Sequence, residues 1–124
     1  MARLKKLNIP NFHDKSINGL EIVDDSNLIL YINSSKIIFM NVKHVRFDDF
    51  RMGNIILSMD IYVLEDIKPF KNEILYLLDI DINNLDFINA VKERIRKEEL
   101  LFVSIQSSYG LKGYLLCKDI KIYD

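Results

Sequence analysis

Apolar and polar residues alternate with a period of two through the segment between Pro10 and Pro69, the pattern typical of β-strands. Short polar gaps at 24–27 and 33–35 separate the first runs and favour antiparallel hairpins. The segment 47–54 is predicted to be a longer connection before the fourth strand. The most regular stripe predicts that one face of this strand is buried, and it comprises Ile55, Leu57, Met59, Ile61 and Val63.

After Pro69 the apolar residues recur every three to four positions, which predicts two helices. The first helix covers about 70–79. The second begins after Asn84, a favourable N-cap residue, carries Asp86 in its first turn and ends near Glu98. Two further strands are then predicted, over 101–105 and 114–122. They are joined by a turn at 107–110, and a β-bulge is predicted near 118–119.

Strands and helices that are grouped rather than alternating indicate an α+β fold. We expect a mostly antiparallel sheet of about six strands in the order β-β-β-β-α-α-β-β, with the helices packed on one side or end. The chain of 124 residues is predicted to be a single domain, 1–124. Pro10 is expected to end a loosely ordered N-terminal arm, 1–10.

Composition is that of a globular protein, with 49% hydrophobic and 28% charged residues. The longest apolar runs are far shorter than the roughly 18 residues of a membrane span, and the first ten residues lack the apolar core of a secretory signal. A single cysteine, Cys117, fits a reducing compartment. These features predict a cytoplasmic protein that does not bind membranes.

Charge is distributed unevenly along the chain. The net charge of −1 argues against direct nucleic-acid binding. The window 60–86, however, holds seven acids against Lys68 and Lys71, a local charge of −5. Such a window can attract a basic partner, although an ordinary solvated surface would have the same pattern. The candidate partner-binding residues are Asp60, Glu65, Asp66, Glu73, Asp79, Asp81 and Asp86.

The pair His13-Asp14 is the first residue combination that could bind a metal. The chain has only one other histidine, His44, and one pair cannot fill the coordination sphere of a catalytic metal. We therefore predict no metal site, and expect His13 to bond backbone groups where the chain enters the sheet.

Nucleophilic catalysis has no better candidate. Cys117 has no base assignable by spacing, and a small core thiol is the expected role. The run Ser107-Ser108-Tyr109-Gly110 lacks the glycine that a nucleophile elbow needs before its serine, so a hairpin turn is predicted. The four glycines are too dispersed for a phosphate-binding loop. The residues thus predict neither a catalytic site nor a cofactor.

Three short motifs together resemble a group of small bacterial domains. They are the entry Phe12-His13-Asp14 with Ile17 and Leu20, the later Phe47, Phe50 and Gly53-Asn54, and the Ser107–Gly110 turn. Many domains of that group accompany polymorphic toxins, including contact-dependent growth inhibition systems, as immunity proteins. The resemblance implies a non-enzymatic cytosolic protein that binds one cognate toxin domain and blocks it. A basic, nuclease-like domain is the partner that the acidic window would attract.

Two other functions compete with this expectation. A small-ligand-binding or assembly module would have the same composition, and would be distinguished by an apolar pocket or a symmetric dimer. A hydrolase using His13, His44 and nearby carboxylates would be distinguished by stoichiometric metal in the purified protein.

Overall fold

Nine strands and two α-helices form a single-sheet structure in the computed structural model, which describes residues 5–124. The α+β class and the antiparallel pairing predicted from the sequence are confirmed. The strands are β1 (Lys5–Lys6), β2 (Ser16–Val23), β3 (Asn27–Ile32), β4 (Ser35–Met40), β5 (His44–Asp48), β6 (Asn54–Val63), β7 (Leu101–Tyr109), β8 (Lys112–Cys117) and β9 (Asp119–Tyr123); the helices are α1 (Lys71–Leu78) and α2 (Leu85–Glu98).

The sheet curves back on itself, so that the two ends of its strand order meet. Strand order is β5-β8-β7-β6-β2-β3-β4-β9, and β1 also pairs with β6. Along the chain, β5 follows β4 and β9 follows β8, so β4–β5 and β8–β9 are two bent strands. These two bent strands pair with each other, through β4 with β9 and through β5 with β8, and this brings the two ends of the strand order together. Backbone bonds bridge both bends, from Lys43 N to Leu116 O (2.8 Å) and from Lys118 N to Met40 O (3.0 Å).

The predicted count of about six strands is wrong, because residues 5–124 contain nine, and the predicted element order is wrong in the same places. Residues 47–48, predicted as part of the connection 47–54, belong to β5 (His44–Asp48), which pairs with β8. The predicted last strand does not bulge at 118–119 but divides there: β8 pairs with β5 and β7, whereas β9 pairs with β4. The division follows the partner strand, which bends after Met40 at Asn41, a residue with positive φ.

One core fills the inside of the curved sheet. Six strands, β2, β3, β4, β6, β7 and β8, contribute to it, and Phe12 and Leu111 add side chains from the connections. The regular stripe predicted for β6 is interrupted, because register shifts flank Ile56. Ile56 is therefore fully buried and Leu57 is 48% exposed, the reverse of the prediction.

The second core lies between the outer face of β7 and β8 and the two helices. Its members include Phe102 and Leu116 from the strands and Ile74 and Ile95 from the helices. The helix predictions are confirmed: a 3₁₀ turn at Lys68–Phe70 leads into α1, and the Asn84 side chain caps α2 by accepting from Phe87 N. Neither helix, nor any other in residues 5–124, is long and apolar enough to cross a membrane.

The N-terminal segment runs beside β6. Lys5 and Lys6 pair with Val63 and Tyr62, and Leu7 N donates to Ile61 O (2.7 Å). The sequence predicted a loosely ordered arm over 1–10; of this range, residues 1–4 lie outside the described residues.

Asn54, at the start of β6, is a buried polar side chain with a full set of partners. Its Oδ1 accepts from Arg51 N (2.8 Å) and Leu111 N (2.9 Å), and its Nδ2 donates to Arg51 O (2.6 Å) and Ile17 O (3.3 Å). These four bonds use both donors and both lone pairs of the amide. The side chain therefore joins β2, the loop before β6 and the β7–β8 turn.

Gly110 and Gly53 provide a matched test of this junction. Both have positive φ, so alanine costs about 1–2 kcal/mol of backbone strain at either position. At Gly110 an added Cβ would also clash with Asn54 Oδ1 and lie 3.0 Å from Asn54 Cα, whereas at Gly53 it would meet no atom within 4 Å. We expect Gly110→Ala to lower the free energy of unfolding by about 1–3 kcal/mol more than Gly53→Ala, measured by urea denaturation. Equal losses for the two variants would contradict the described role of Asn54.

Candidate functional site

Five aromatic rings connect α1 and the turn before it to the outer face of the sheet. Phe70 lies 4.8 Å from Tyr62 and 4.6 Å from Phe102, measured between ring centroids. Phe102 stacks on Tyr114 at 5.6 Å, and Tyr114 meets Tyr76 of α1 edge to face at 6.3 Å. These contacts fix the position of α1 over β7 and β8.

Arg46 fixes the other side of α1. Phe47 packs against the inner core, so its neighbours in β5, Arg46 and Asp48, point to the outer face. The Arg46 guanidinium lies 3.9 Å from the Tyr76 ring centroid, and its Nη1 donates to Tyr76 O (2.8 Å). A cation at the last carbonyls of a helix is favoured by the helix dipole.

Tyr76 also contacts Asp48 through its phenol group. The Tyr76 hydroxyl donates to Asp48 Oδ2, and this hydrogen bond to a carboxylate raises the pKa of Tyr76 above its ordinary value. Tyr76 thus touches a carboxylate with its hydroxyl and a guanidinium with its ring, while 43% of the residue stays exposed.

A cleft of about 390 Å³ opens between α1 and the outer face of β5, β7 and β8. Asp48 and Lys112 lie directly opposite each other in the β5–β8 pair, and Lys112 Nζ reaches Asp49 Oδ2 at 3.6 Å. Both aromatic and charged groups form the walls, which include Asp48, Glu73, Tyr76, Gln106, Lys112 and Tyr114.

The seven predicted acids lie on several elements between β6 and α2. Asp60 is half-buried in β6 and is paired with Lys6 (2.6 Å), a hydrogen bond that raises the pKa of Lys6. Glu73, in the first turn of α1, lines the cleft. The other five are exposed and, among residues 5–124, form no ion pair with a cation: Glu65, Asp66, Asp79, Asp81 and Asp86.

Three apolar side chains are exposed where α1 leads into α2. Ile82 is 54%, Leu85 65% and Phe87 47% exposed. Asp79, Asp81 and Asp86 lie between and beside them in the sequence, so segment 79–87 combines three exposed apolar side chains with three exposed acids. The acids are candidate partner-binding residues from the sequence, whereas the exposure of the three apolar side chains is seen only in the structure.

The two histidines occupy separate places in the fold. His13 Nδ1 hydrogen bonds with Leu57 O (2.7 Å) at the β6 irregularity, and Nε2 lies 3.4 Å from Asp14 Oδ2. The backbone-bonding role predicted for His13 is confirmed. His44 is half-buried in β5, where burial and then the charge of Arg94 lower its pKa. No group of three or more His, Cys, Asp or Glu residues able to hold a metal occurs within the described residues.

The remaining nucleophile candidates have structural positions. Cys117 is buried, and burial raises the pKa of its thiol to about 12, so it stays protonated at neutral pH. Ser107 Oγ donates to Gly110 O (2.8 Å) within the β7–β8 turn, which confirms the predicted hairpin.

Sequence reasoning missed Arg46, Asp48, Tyr76 and the cleft between them. Asp48 and Tyr76 are 28 residues apart, and nothing in their local sequence shows that they meet. The only available signal was the alternation of Val45 and Phe47 with Arg46 and Asp48, which marks β5 as a strand with a charged outer face.

Comparison with known proteins gave no further guide to the site. No family model, curated protein or solved structure matched the chain. The resemblance to toxin-associated immunity domains therefore stays a prediction.

The contact between Tyr76 and Asp48 can be tested by titrating the tyrosines. Asp48→Asn removes the carboxylate that stabilises the protonated phenol, so we expect the pKa of Tyr76 to fall toward its ordinary value. Tyr31, whose pKa is raised by its hydrogen bond to Glu21, is the internal control and should not change. NMR of ¹³C-labelled tyrosine rings measures both groups. If the pKa of Tyr76 is the same in Asp48→Asn and in the parent protein, the contact between Tyr76 and Asp48 is contradicted.

Proposed function

We propose that this protein is a cytoplasmic, non-enzymatic immunity protein that binds a cognate bacterial toxin domain and neutralises it by direct contact. The carrying observation is the composition of segment 79–87, which exposes three apolar side chains and three acids. The likeness of the Phe12-His13-Asp14 entry, and of the two later motifs, to toxin-associated domains supports the same proposal.

The composition of segment 79–87 supports protein recognition. Ile82, Leu85 and Phe87 can supply the apolar centre of an interface, since these side chains lose solvent only when a partner covers them. The acids around them can supply a polar border. Single exposed apolar residues are normal on a surface, whereas this segment exposes three within six positions.

Charge complementarity supports a basic partner. The exposed acids Asp79, Asp81 and Asp86 have no ion-pair partner among residues 5–124, so their field extends into solvent. Such a field speeds the encounter with a positively charged domain. Nuclease domains carry positive charge for phosphate binding, and a nuclease-like toxin is therefore the partner class that this surface favours.

The proposed contact must extend beyond segment 79–87, because this segment alone is too small for a stable interface. A stable protein interface uses roughly 20–30 residues on each side. Segment 79–87 has nine, so the contact would continue along the exposed side of α1 toward Glu73, and over Glu65 and Asp66. This larger area includes six of the seven acids predicted from the sequence; Asp60 is engaged by Lys6.

Co-expression with the toxin encoded immediately upstream tests the function. We expect a stable complex on co-purification and survival of cells that otherwise die when the toxin is expressed. Both readouts are needed, because binding of the toxin without protection of the cells would indicate a different role. Absence of a complex together with absence of protection would overturn the proposal.

Two matched sets of variants test the surface. Leu85→Ser should weaken the complex by about tenfold or more, whereas Ile22→Ser, which changes an equally exposed apolar residue of β2, should not. Asp81→Asn with Asp86→Asn should slow association by about 3- to 10-fold at low salt. Asp24→Asn with Asp25→Asn changes net charge equally and is the control. Surface plasmon resonance at low and at 1 M salt measures both sets, and equal effects of test and control variants would exclude segment 79–87.

A small-ligand module is the second candidate, and the cleft beside Tyr76 is the observation that favours it. Its volume of about 390 Å³ lies within the roughly 300–1,000 Å³ common for small-molecule sites. Co-purification of a low-molecular-weight compound, detected by mass spectrometry of the denatured protein, would favour this candidate over toxin binding.

A further inference from the structure

We propose that the cleft between α1 and strands β5, β7 and β8 binds an organic cation, a primary ammonium or a guanidinium group. The cation would enter between the Tyr76 and Tyr114 rings and the carboxylates of Asp48 and Glu73. This site goes beyond the acidic surface proposed above, because it is a defined pocket for one charged group.

The aromatic wall already holds one cation within the protein. The guanidinium of Arg46 lies 3.9 Å from the Tyr76 ring centroid. Cations bind aromatic faces because the ring quadrupole is negative there, and the gain increases when the cation is desolvated. Tyr114 lies edge to face with Tyr76 at 6.3 Å and adds a second ring to the lining.

The charges that line the cleft favour a cation, because Asp48 and Glu73 outnumber the cation Lys112. Asp48 and Glu73 both line it, and Asp49 lies beside its rim. The rim also holds Lys112, whose ammonium faces Asp49 at 3.6 Å. Lys112 is 53% exposed on a flexible side chain and would repel a cation that binds beside Asp48 and Glu73.

The neutral groups of the cleft fit a hydrogen-bonding cation. Asn72 and Gln106 place two carboxamides in the lining, and the amide oxygens can accept from an ammonium or a guanidinium. The Gln106 amide nitrogen donates to Ser104 Oγ (3.2 Å), which leaves its oxygen free to accept.

The same chemistry has two sources: a lysine or arginine side chain of a basic protein partner, or a diffusible amine. Glu73 belongs both to the cleft and to the six acids of the larger proposed contact. A side chain of a docked partner could therefore reach the cleft, since the lining residue Tyr76 lies only three residues, about 5 Å along α1, before segment 79–87.

The direct test uses isolated ¹⁵N-labelled protein and no toxin, so its outcome does not depend on the proposed function. Nα-acetyl-lysine N-methylamide is titrated against its norleucine counterpart, which replaces the ammonium by a methyl group, and against Nα-acetyl-glutamate N-methylamide. We expect saturable shifts of the Tyr76, Gln106 and Tyr114 amides with the lysine compound alone, with a dissociation constant of about 1 mM or below. Equal binding of norleucine, binding of glutamate, or no saturable shift would each overturn the site.

Variants that remove either a negative or a positive charge from the cleft test the proposal further. Asp48→Asn and Glu73→Gln should each weaken binding of the lysine compound by about threefold or more, and Lys112→Met should strengthen it by a similar factor. Glu65→Gln and Lys71→Met, which change exposed charges away from the lining, are the matched controls and should have no effect. Weaker binding of the lysine compound by Lys112→Met would mean that Lys112 does not repel the bound group, which would overturn the proposal.

A competition experiment distinguishes the two sources of the cation. If a side chain of the toxin occupies the cleft, the complex should no longer bind the lysine compound or cadaverine. If the site serves a diffusible amine, the toxin-bound protein should still bind cadaverine. Either result supports the cation site. If the free protein binds neither the lysine compound nor cadaverine, the cation site is contradicted.

Discussion

The Asn54 side chain is the interaction on which the arrangement of the sheet depends. A buried carboxamide is costly unless its donors and acceptors are all engaged, and here four backbone groups engage them. The carbonyl of Ile17 and the amide of Leu111 belong to segments far apart in sequence, and both residues bury their side chains in the inner core. Asn54 thus holds the entry of β2 and the β7–β8 turn against the start of β6, while the neighbouring Gly110 lets the turn approach its side chain.

Curvature of the sheet determines where the candidate sites lie. Because the inner faces of the strands enclose one core, the helices can pack only against the outside, where Phe102 and Leu116 provide the apolar contact. The aromatic contacts and Arg46 then fix α1, and the connection from α1 to α2 is left exposed with its apolar and acidic residues. The cleft forms where α1 stands away from the charged outer side chains of β5 and β8.

Sequence reasoning succeeded where the signal is local. Helix α2 is predicted from the spacing of its apolar residues and from Asn84. The Asn84 side chain caps the helix by accepting a hydrogen bond from the backbone amide three residues later. Strand β5 is not predicted because it has only five residues, and its last two belong to the segment predicted as a connection. The division between β8 and β9 was missed because it depends on a bend in β4, which the sequence around Lys118 does not reveal. The bonds of Asn54 to Ile17 and Leu111 and the contact of Asp48 with Tyr76 join residues separated by 28 to 57 positions, so no pattern within one segment could predict them.

The pairing of β4 with β9 has a consequence for how the chain folds. Lys36 lies opposite Tyr123, and Met40 lies opposite Asp119, so this seam joins residues about 80 positions apart. The β2–β3–β4 hairpins can form early from local contacts, but one edge of β4 has no partner until β9 arrives. During synthesis on the ribosome, both helices and four further strands, β5 to β8, are translated before β9 can cover the second edge of β4. Folding intermediates would therefore carry an open, aggregation-prone strand edge, and the slow event would be closure of the seam rather than formation of the helices.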